Sequence, residues 1–293
     1  MKNVGIIGTG RIGSALEKIL STAGHNVKKY DSDPSKNADD ISTVAKSADF
    51  LFLCVPSWSL REAAESIKAF LSPNTIVASL AKGIEKESLK TADEILSEVL
   101  PQKQPMIILG GPLLAENIQN NEIGIGVAAS VKKQNFDCLS ELFKETNIFW
   151  EYSPNPSSVA LAGVLKNIYA TLIGIAEGCG LTDNFLGYLA AKSIYEIGDV
   201  SKTLCGDKET ALGTAGAGDF VATSFSKNSS NRQAGIEIAK SGSAPKSEGI
   251  ISLPLINKKL GHATKNFKLL LALTDIIENK KDPKTALTDL LIY

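Results

Sequence analysis

The chain has 293 residues, 43% hydrophobic and 22% charged, with a formal net charge of −1. Such a composition belongs to a globular protein with enough apolar side chains for one large or two ordinary domains. The near-neutral balance offers no electrostatic basis for binding nucleic acid, and no apolar run is read as a bilayer span, so neither partner is expected. The amino terminus lacks the signal-peptide plan and reads directly as a strand. Cys54, Cys138, Cys179 and Cys205 are widely spaced with no CxxC, as expected of free thiols in a reducing compartment. A cytoplasmic location is therefore expected, and a metal site is not. His25, in a turn after Gly24, and His262 read as solvated loop histidines, so proton transfer should fall to another residue type.

Residues 4–7 form a short apolar strand, Gly8-Thr9-Gly10-Arg11-Ile12-Gly13 follows, and residues 14–20 have helical periodicity. Between a strand and a helix, GxGxxG permits a tight turn and close approach of a pyrophosphate, with the helix N-terminus facing the anion. Gly8, Gly10, Arg11, Ile12 and Gly13 are thus candidate cofactor contacts. Residues 27–31 form a second strand ending in Asp31, where a carboxylate accepts ribose hydroxyls and repels a 2′-phosphate. NAD is the expected cofactor. Lys28 and Lys29 leave NADP as the alternative, and a plain turn residue is the other reading of Asp31. Residues 49–57 are a near-continuous apolar strand ending in Pro56 and Ser57, before a helix over 59–70. The strand at 75–80 runs into Lys82, and that at 106–109 runs into Gly110-Gly111-Pro112; 123–128 and 148–150 complete the set. Strands alternating with helices predict an α/β Rossmann domain with a doubly wound, mostly parallel sheet. Its ligand site lies beyond the carboxyl ends of the strands, where Pro56, Lys82 and Gly111 fall.

Ser153-Pro154-Asn155-Pro156-Ser157 reads as the boundary between a dinucleotide-binding domain, 1–154, and an all-α domain, 155–293. Helices are expected over 158–178, 184–204, 232–241 and 264–279. The first is apolar on nearly every face and therefore buried, yet carries Lys166 in its middle. A buried lysine needs a partner or a water-filled cleft, and its readily shifted pKa suits general-base work; snorkelling to solvent is the alternative. Residues 213–219 are a glycine-rich turn carrying one acid, Asp219, followed by Thr223. Residues 226–232 are a polar run opening a helix, a place where free N–H groups, hydroxyls and a cation suit an anion, or where capping alone explains the serines.

Taken in order, these segments resemble the soluble NAD(P)-dependent glycerol-3-phosphate dehydrogenases over nearly the whole chain. The match rests on the glycine turn, Val55-Pro56-Ser57, Lys82-Gly83-Ile84, Gly111-Pro112 with Ala115-Glu116, and Leu165-Lys166-Asn167-Ile168-Tyr169-Ala170. Gly218-Asp219 with Thr223, Asn231-Arg232 and Ser247-Glu248-Gly249-Ile250 complete it. The resemblance implies Lys166 as catalytic base, with Lys82, Asp219 and Asn167 in the catalytic set. It implies Gly111, Thr223, Ser229, Ser230, Asn231 and Arg232 around the substrate, and Pro56, Lys82, Ala115 and Glu248 at the cofactor. A small phosphorylated three-carbon substrate, sn-glycerol 3-phosphate or dihydroxyacetone phosphate, is implied with it; the sequence does not give the oligomeric state, and a homodimer is one open reading. Lys82 would lower the pKa of Lys166 by like-charge repulsion. Four departures stand out: Leu113 replaces a hydroxyl residue, Ser230 replaces an arginine, Ala160 replaces a glutamate and Lys192 replaces an arginine. An arginine fork and a hydroxyl are thereby lost from the phosphate side. The alternatives are a related dehydrogenase acting on another hydroxy or 2-oxo acid, and a nucleotide-binding protein without turnover.

Overall fold

The computed structural model describes residues 1–36, 39–205 and 207–291. The chain divides into two compact units: a sheet unit, residues 1–82 and 90–160, and a helical unit, residues 83–89 and 161–293.

The sheet unit holds β1 (Asn3–Ile7), β2 (Asn26–Tyr30), β3 (Phe50–Leu53), β4 (Ile76–Ser79), β5 (Met106–Gly110), β6 (Gly124–Ala129) and β7 (Ile148–Ser153). Its order is β2-β1-β3-β4-β5-β6-β7. All neighbours are parallel except β5 and β6, which run antiparallel. β3 and β4 are buried along their whole length, the mark of strands covered on both faces. The chain reverses its direction of winding between β1 and β3, so the crevice beyond their carboxyl ends is the expected ligand site. The helices are α1 (Arg11–Thr22), α2 (Ile41–Lys46), α3 (Leu60–Ile67), α4 (Ala92–Val99), α5 (Ala115–Gln119) and α6 (Lys133–Leu142). The α1 and α6 side packs Leu16, Leu20, Leu139 and Phe143 on Ile6, Phe52 and Ala128. Phe143 meets Phe52 edge-on at 6.1 Å between ring centres.

α7 (Pro156–Gly178) carries the chain across the division between the units, and the helical unit then holds α8 (Asp183–Cys205), α9 (Glu209–Leu212), α10 (Asp219–Phe225) and α11 (Ser230–Ser241). α12 (Glu248–Leu260), α13 (Lys268–Ile277) and α14 (Pro283–Thr288) follow. Among the described residues one helix, α7, is by length and composition apolar enough to cross a bilayer, and the whole of that apolar stretch is buried inside the protein. α12 was not foreseen as a helix: Gly249 and Pro254 both disfavour one. Gly249 is required by packing, since a Cβ there would stand 2.4 Å from the Asn167 carbonyl oxygen. Residues 214–218, expected as an open glycine-rich turn, form a π-helical turn that runs directly into α10. A Cβ on Gly216 would lie 2.0 Å from the Ala211 oxygen, so only glycine lets the wide turn close. Residues 83–89 belong to the helical unit, where Lys259 Nζ donates to the Leu89 carbonyl at 2.9 Å.

Candidate active site

In the sheet unit the glycine turn forms where β1 and β3 end. Gly8 has a positive φ of 93°, and a Cβ there would meet the Cys54 carbonyl group and Val55 at 3.0 Å. At Gly13 a Cβ would stand 2.0 Å from the Gly8 oxygen, so this glycine lets α1 start directly on the turn. Gly10 differs from both. Its φ of −64° is open to any residue, and no protein atom lies within 4 Å of where its Cβ would be. Neither strain nor a protein neighbour calls for glycine there, so the space suits a ligand at the N-terminus of α1, as a pyrophosphate would need. The residues present therefore fit a dinucleotide.

Asp31 follows β2 and faces the same turn. Its Oδ2 accepts from the Thr9 amide at 2.7 Å and hydroxyl at 2.9 Å, and its Oδ1 accepts from the Asp33 amide at 3.0 Å. Partial burial opposes its charge, but the Asp33 and Thr9 amides, the Thr9 hydroxyl and Lys36 together hold the carboxyl below its usual range. The turn-residue reading and the ribose reading are thus compatible: a carboxylate with about four lone-pair sites can shape the loop and still accept from a sugar. Of the two lysines that kept NADP open, Lys29 is tied to Glu17 at 2.7 Å.

Arg11, on the first turn of α1, pairs with Glu116 on α5 at 2.8 Å. Ile12 packs against the core under the sheet. Pro56 is exposed beyond β3, and Ala115 opens α5. Lys82 lies beyond β4 and Gly111 beyond β5, and the structure joins them: Lys82 Nζ donates to the Gly111 oxygen at 2.9 Å. Gly111 holds a φ of 86° and lies 3.1 Å, by its would-be Cβ, from the Val127 amide nitrogen, so this carbonyl is fixed by a position that only glycine fills without strain. Leu113 packs against the sheet core, 3.1 Å from the would-be Cβ of Gly126. Its loss of a hydroxyl is therefore a gain of packing. His25 is held by the Leu142 carbonyl at 2.8 Å and accepts from the Lys2 amide at 3.3 Å, so it is a structural tie and not a solvated loop histidine.

In the helical unit Lys166 is 7% exposed, so snorkelling is excluded. Its Nζ donates to Thr223 Oγ1 at 2.7 Å and lies 3.2 Å from Asp219 Oδ1, and Thr223 donates in turn to the same carboxylate oxygen at 3.2 Å. Asp219 and Thr223 are four apart on α10 and so share a helix face. The π-helical turn before α10 places that face against α7. With Asp219 1% exposed and Thr223 3%, the amine's charge is compensated inside the unit by a carboxylate and a hydroxyl.

Asn167 and Asn231 join this cluster. Asn231 Nδ2 donates to Asn167 Oδ1 at 2.8 Å, and Asn231 Oδ1 accepts from the Gly249 amide at 2.9 Å. Gly249 follows Glu248 at the start of α12, which brings the Glu248 backbone beside the asparagine pair. Ser229 caps α11, accepting from the Arg232 amide at 3.2 Å, and Ser230 is exposed on the first turn. Arg232 does not join the set expected around the substrate: its guanidinium pairs with Glu177 near the end of α7, about 16 Å along that helix from Lys166. α11 lies so close to α7 that a Cβ on Gly174 would stand 2.1 Å from the Arg232 oxygen, which fixes the direction of that side chain.

Glu196 escaped sequence reasoning. On α8, it accepts from the Tyr169 hydroxyl at 2.9 Å and from the Leu269 and Leu270 amides at 3.0 and 2.9 Å. Burial pushes its carboxyl above the usual range, outweighing those donors, while burial beside Glu196 raises the Tyr169 phenol. A carboxylate at the start of α13 is favoured by the free amides there. Only the tertiary position of that helix end reveals the role.

Comparison with known proteins adds the following. Residues 155–288 match the family model described as NAD-dependent glycerol-3-phosphate dehydrogenase C-terminus, and residues 35–136 match its N-terminus counterpart. Residues 1–67 match the D-isomer specific 2-hydroxyacid dehydrogenase, NAD binding domain. A glycerol-3-phosphate dehydrogenase (NAD(P)+) of Clostridium acetobutylicum is 33% identical over 265 residues, 82% of this chain and 79% of the relative. One from Clostridium botulinum is 28% identical over all of this chain and 98% of its own length. Among solved structures, a glycerol-3-phosphate dehydrogenase from Coxiella burnetii superposes with a TM-score of 0.89 at 23% identity, covering 99% of this chain and 98% of that one. A ketopantoate reductase from Ralstonia eutropha shares the fold more distantly, with a TM-score of 0.61 at 20% identity over 95% of this chain and 99% of that one.

Proposed function

We propose, for a chain that belongs to the NAD-dependent glycerol-3-phosphate dehydrogenase family, that it interconverts sn-glycerol 3-phosphate and dihydroxyacetone phosphate, with Lys166 as the general acid and base. The observation that carries the reading is the buried triad of Lys166, Asp219 and Thr223. Lys166 holds a proton that it can give to a ketone oxygen or take back from a hydroxyl, and Asp219 and Thr223 fix the direction of the amine. Asn167 and Lys82 serve as donors to substrate oxygens. Gly8, Gly10, Gly13 and the start of α1 would hold the dinucleotide's pyrophosphate, and Asp31 its ribose, which favours NAD over NADP. When bound, the nicotinamide supplies the hydride acceptor or donor.

Ser229, Ser230 and Asn231, at the capped start of α11 where Ser230 alone of the three is exposed, are the proposed phosphate side. Exposed Ile123, Ile125 and Phe149 on the sheet unit suit a second copy of the chain, which light scattering of the purified protein checks. The four cysteines are free, as fits the cytoplasm. The test of function is NADH oxidation with dihydroxyacetone phosphate, followed by absorbance. Turnover is expected. Consumption of NADH only with an unphosphorylated 2-oxo acid, or binding without consumption, overturns the substrate.

A further inference from the structure

Arg11 was expected at the cofactor, yet its guanidinium is held by a carboxylate of the same unit. Its Nη1 donates to Glu116 Oε1 at 2.8 Å, with the two side chains 66% and 34% exposed. Arg11 is the first residue of α1, and Glu116 is the second of α5. Side chains tilt toward the N-terminus of their helix, so an arginine on the first turn is directed to where an anion would meet the free amides. The protein leaves that place open. Gly10 caps α1 with no side chain, and no protein atom lies within 4 Å of where its Cβ would be. α1 carries no acid in its own first turn, so the carboxylate on its cation comes from a neighbouring helix.

α5 is also fixed to α1 by contacts that do not involve this pair. Lys18 Nζ donates to the Gln119 carbonyl at 2.7 Å, and Gln119 Nε2 donates to the Arg11 carbonyl at 3.3 Å. Ile118 between them is buried in the core under the sheet. The ion pair can therefore break while both helices stay in place. An exposed pair is weak, because water and salt screen it. A guanidinium offers five N–H donors in a fork, and Glu116 engages one of its two Nη atoms, whereas phosphate oxygens match the whole fork.

We infer that Glu116 is a positioning residue that competes with the dinucleotide for Arg11. The pair holds the guanidinium ready at the start of α1, and Arg11 exchanges the carboxylate for a pyrophosphate oxygen on binding. The inference rests on the proposed dinucleotide site. It makes Glu116, acting through Arg11, a determinant of how tightly NAD(H) is held.

Fluorescence titration with NADH at low ionic strength tests this in a double-mutant cycle. Glu116→Gln keeps the shape and the acceptor oxygen but loses the charge. It should tighten NADH binding by about 1.5- to fivefold, the worth of an exposed ion pair. Arg11→Met should weaken binding roughly tenfold, as loss of a hydrogen bond to a charged group does. Glu116→Gln added to Arg11→Met should bring little further change, since Glu116 then has no cation to withhold. All four proteins should melt alike without ligand, because the pair is exposed. ADP-ribose, which carries the pyrophosphate without the nicotinamide, should rank the four proteins in the same order when it displaces NADH. Equal tightening by Glu116→Gln with and without Arg11 would mean plain repulsion of the pyrophosphate and overturns the competition. Binding that Glu116→Gln leaves unchanged or weakens, wild-type affinity in Arg11→Met, or an effect absent with ADP-ribose overturns it as well. The proposed substrate fails separately, if protein that binds NADH leaves dihydroxyacetone phosphate unreduced; protein that binds no NADH overturns both.

Discussion

In the sheet unit the candidate cofactor site is made of backbone and space, whereas in the helical unit the candidate catalytic site is made of side chains that satisfy one another. At the glycine turn, two glycines are demanded by protein neighbours and Gly10 by none. Around Lys166, every polar group named has a protein partner within 3.2 Å. The first kind of site binds by leaving room for an anion at a helix start, and tolerates change wherever the protein itself is not in contact. The second holds charge in a low-dielectric interior, where removing any member strands another.

The largest effect should come from breaking the second site. Lys166→Ala is expected to lower kcat by about 10²- to 10⁴-fold while leaving the NADH dissociation constant nearly unchanged in a fluorescence titration. Stranding Asp219 should also destabilise the protein by about 3–5 kcal/mol. Adding Asp219→Asn should recover much of that stability and none of the turnover. Recovery of turnover would mean that the lysine only balances charge.

Two glycines sharpen the other side of the comparison. Gly13→Ala drives a methyl against the Gly8 oxygen and should destabilise the fold by at least about 1–3 kcal/mol, read by urea denaturation. Gly10→Ala, at the N-cap of α1, should cost no more than about 1 kcal/mol of stability and weaken NADH binding at least about tenfold. Equal effects on stability from both changes would mean that Gly10, too, serves the fold.

The family departures separate in the same way. Leu113→Ser should cost about 1–3 kcal/mol, because Leu113 fills the space beside Gly126. Ser230→Arg, on an exposed helix start, should leave stability unchanged and lower KM for dihydroxyacetone phosphate severalfold, since a charge-assisted pair is about twice as strong as a neutral one. No change in KM would mean that another cation already holds the phosphate.

The smallest effect belongs to neither site. Lys90 first and Arg61 second hold the Glu98 carboxyl at about 2, against an ordinary 4.5. A depressed carboxyl contributes stability above its unfolded value and loses it as pH falls through the folded one. Glu98→Gln should therefore lower the melting temperature slightly at pH 7, with the difference shrinking below pH 4.5 and gone near pH 2. A difference that persists at pH 2 would mean that packing, not charge, is lost.

The chain's periodicity alone determined the strands, the glycine turn and the burial of α7, because each is a local pattern: alternation, a fixed spacing, an apolar helix. Lys166 was legible for the same reason, as a charge where the pattern forbids one. Its partners were not. Asp219 and Thr223 reach it only because a π-helical turn aims α10, and that turn depends on the approach of Gly216 to the Ala211 carbonyl. The direction of Arg232, the packing of Leu113, the anchoring role of Glu196 and the engagement of Asn231 at both ends were likewise decided by tertiary structure. Each depends on which backbone group another element brings within hydrogen-bonding distance, and sequence spacing carries no information about that.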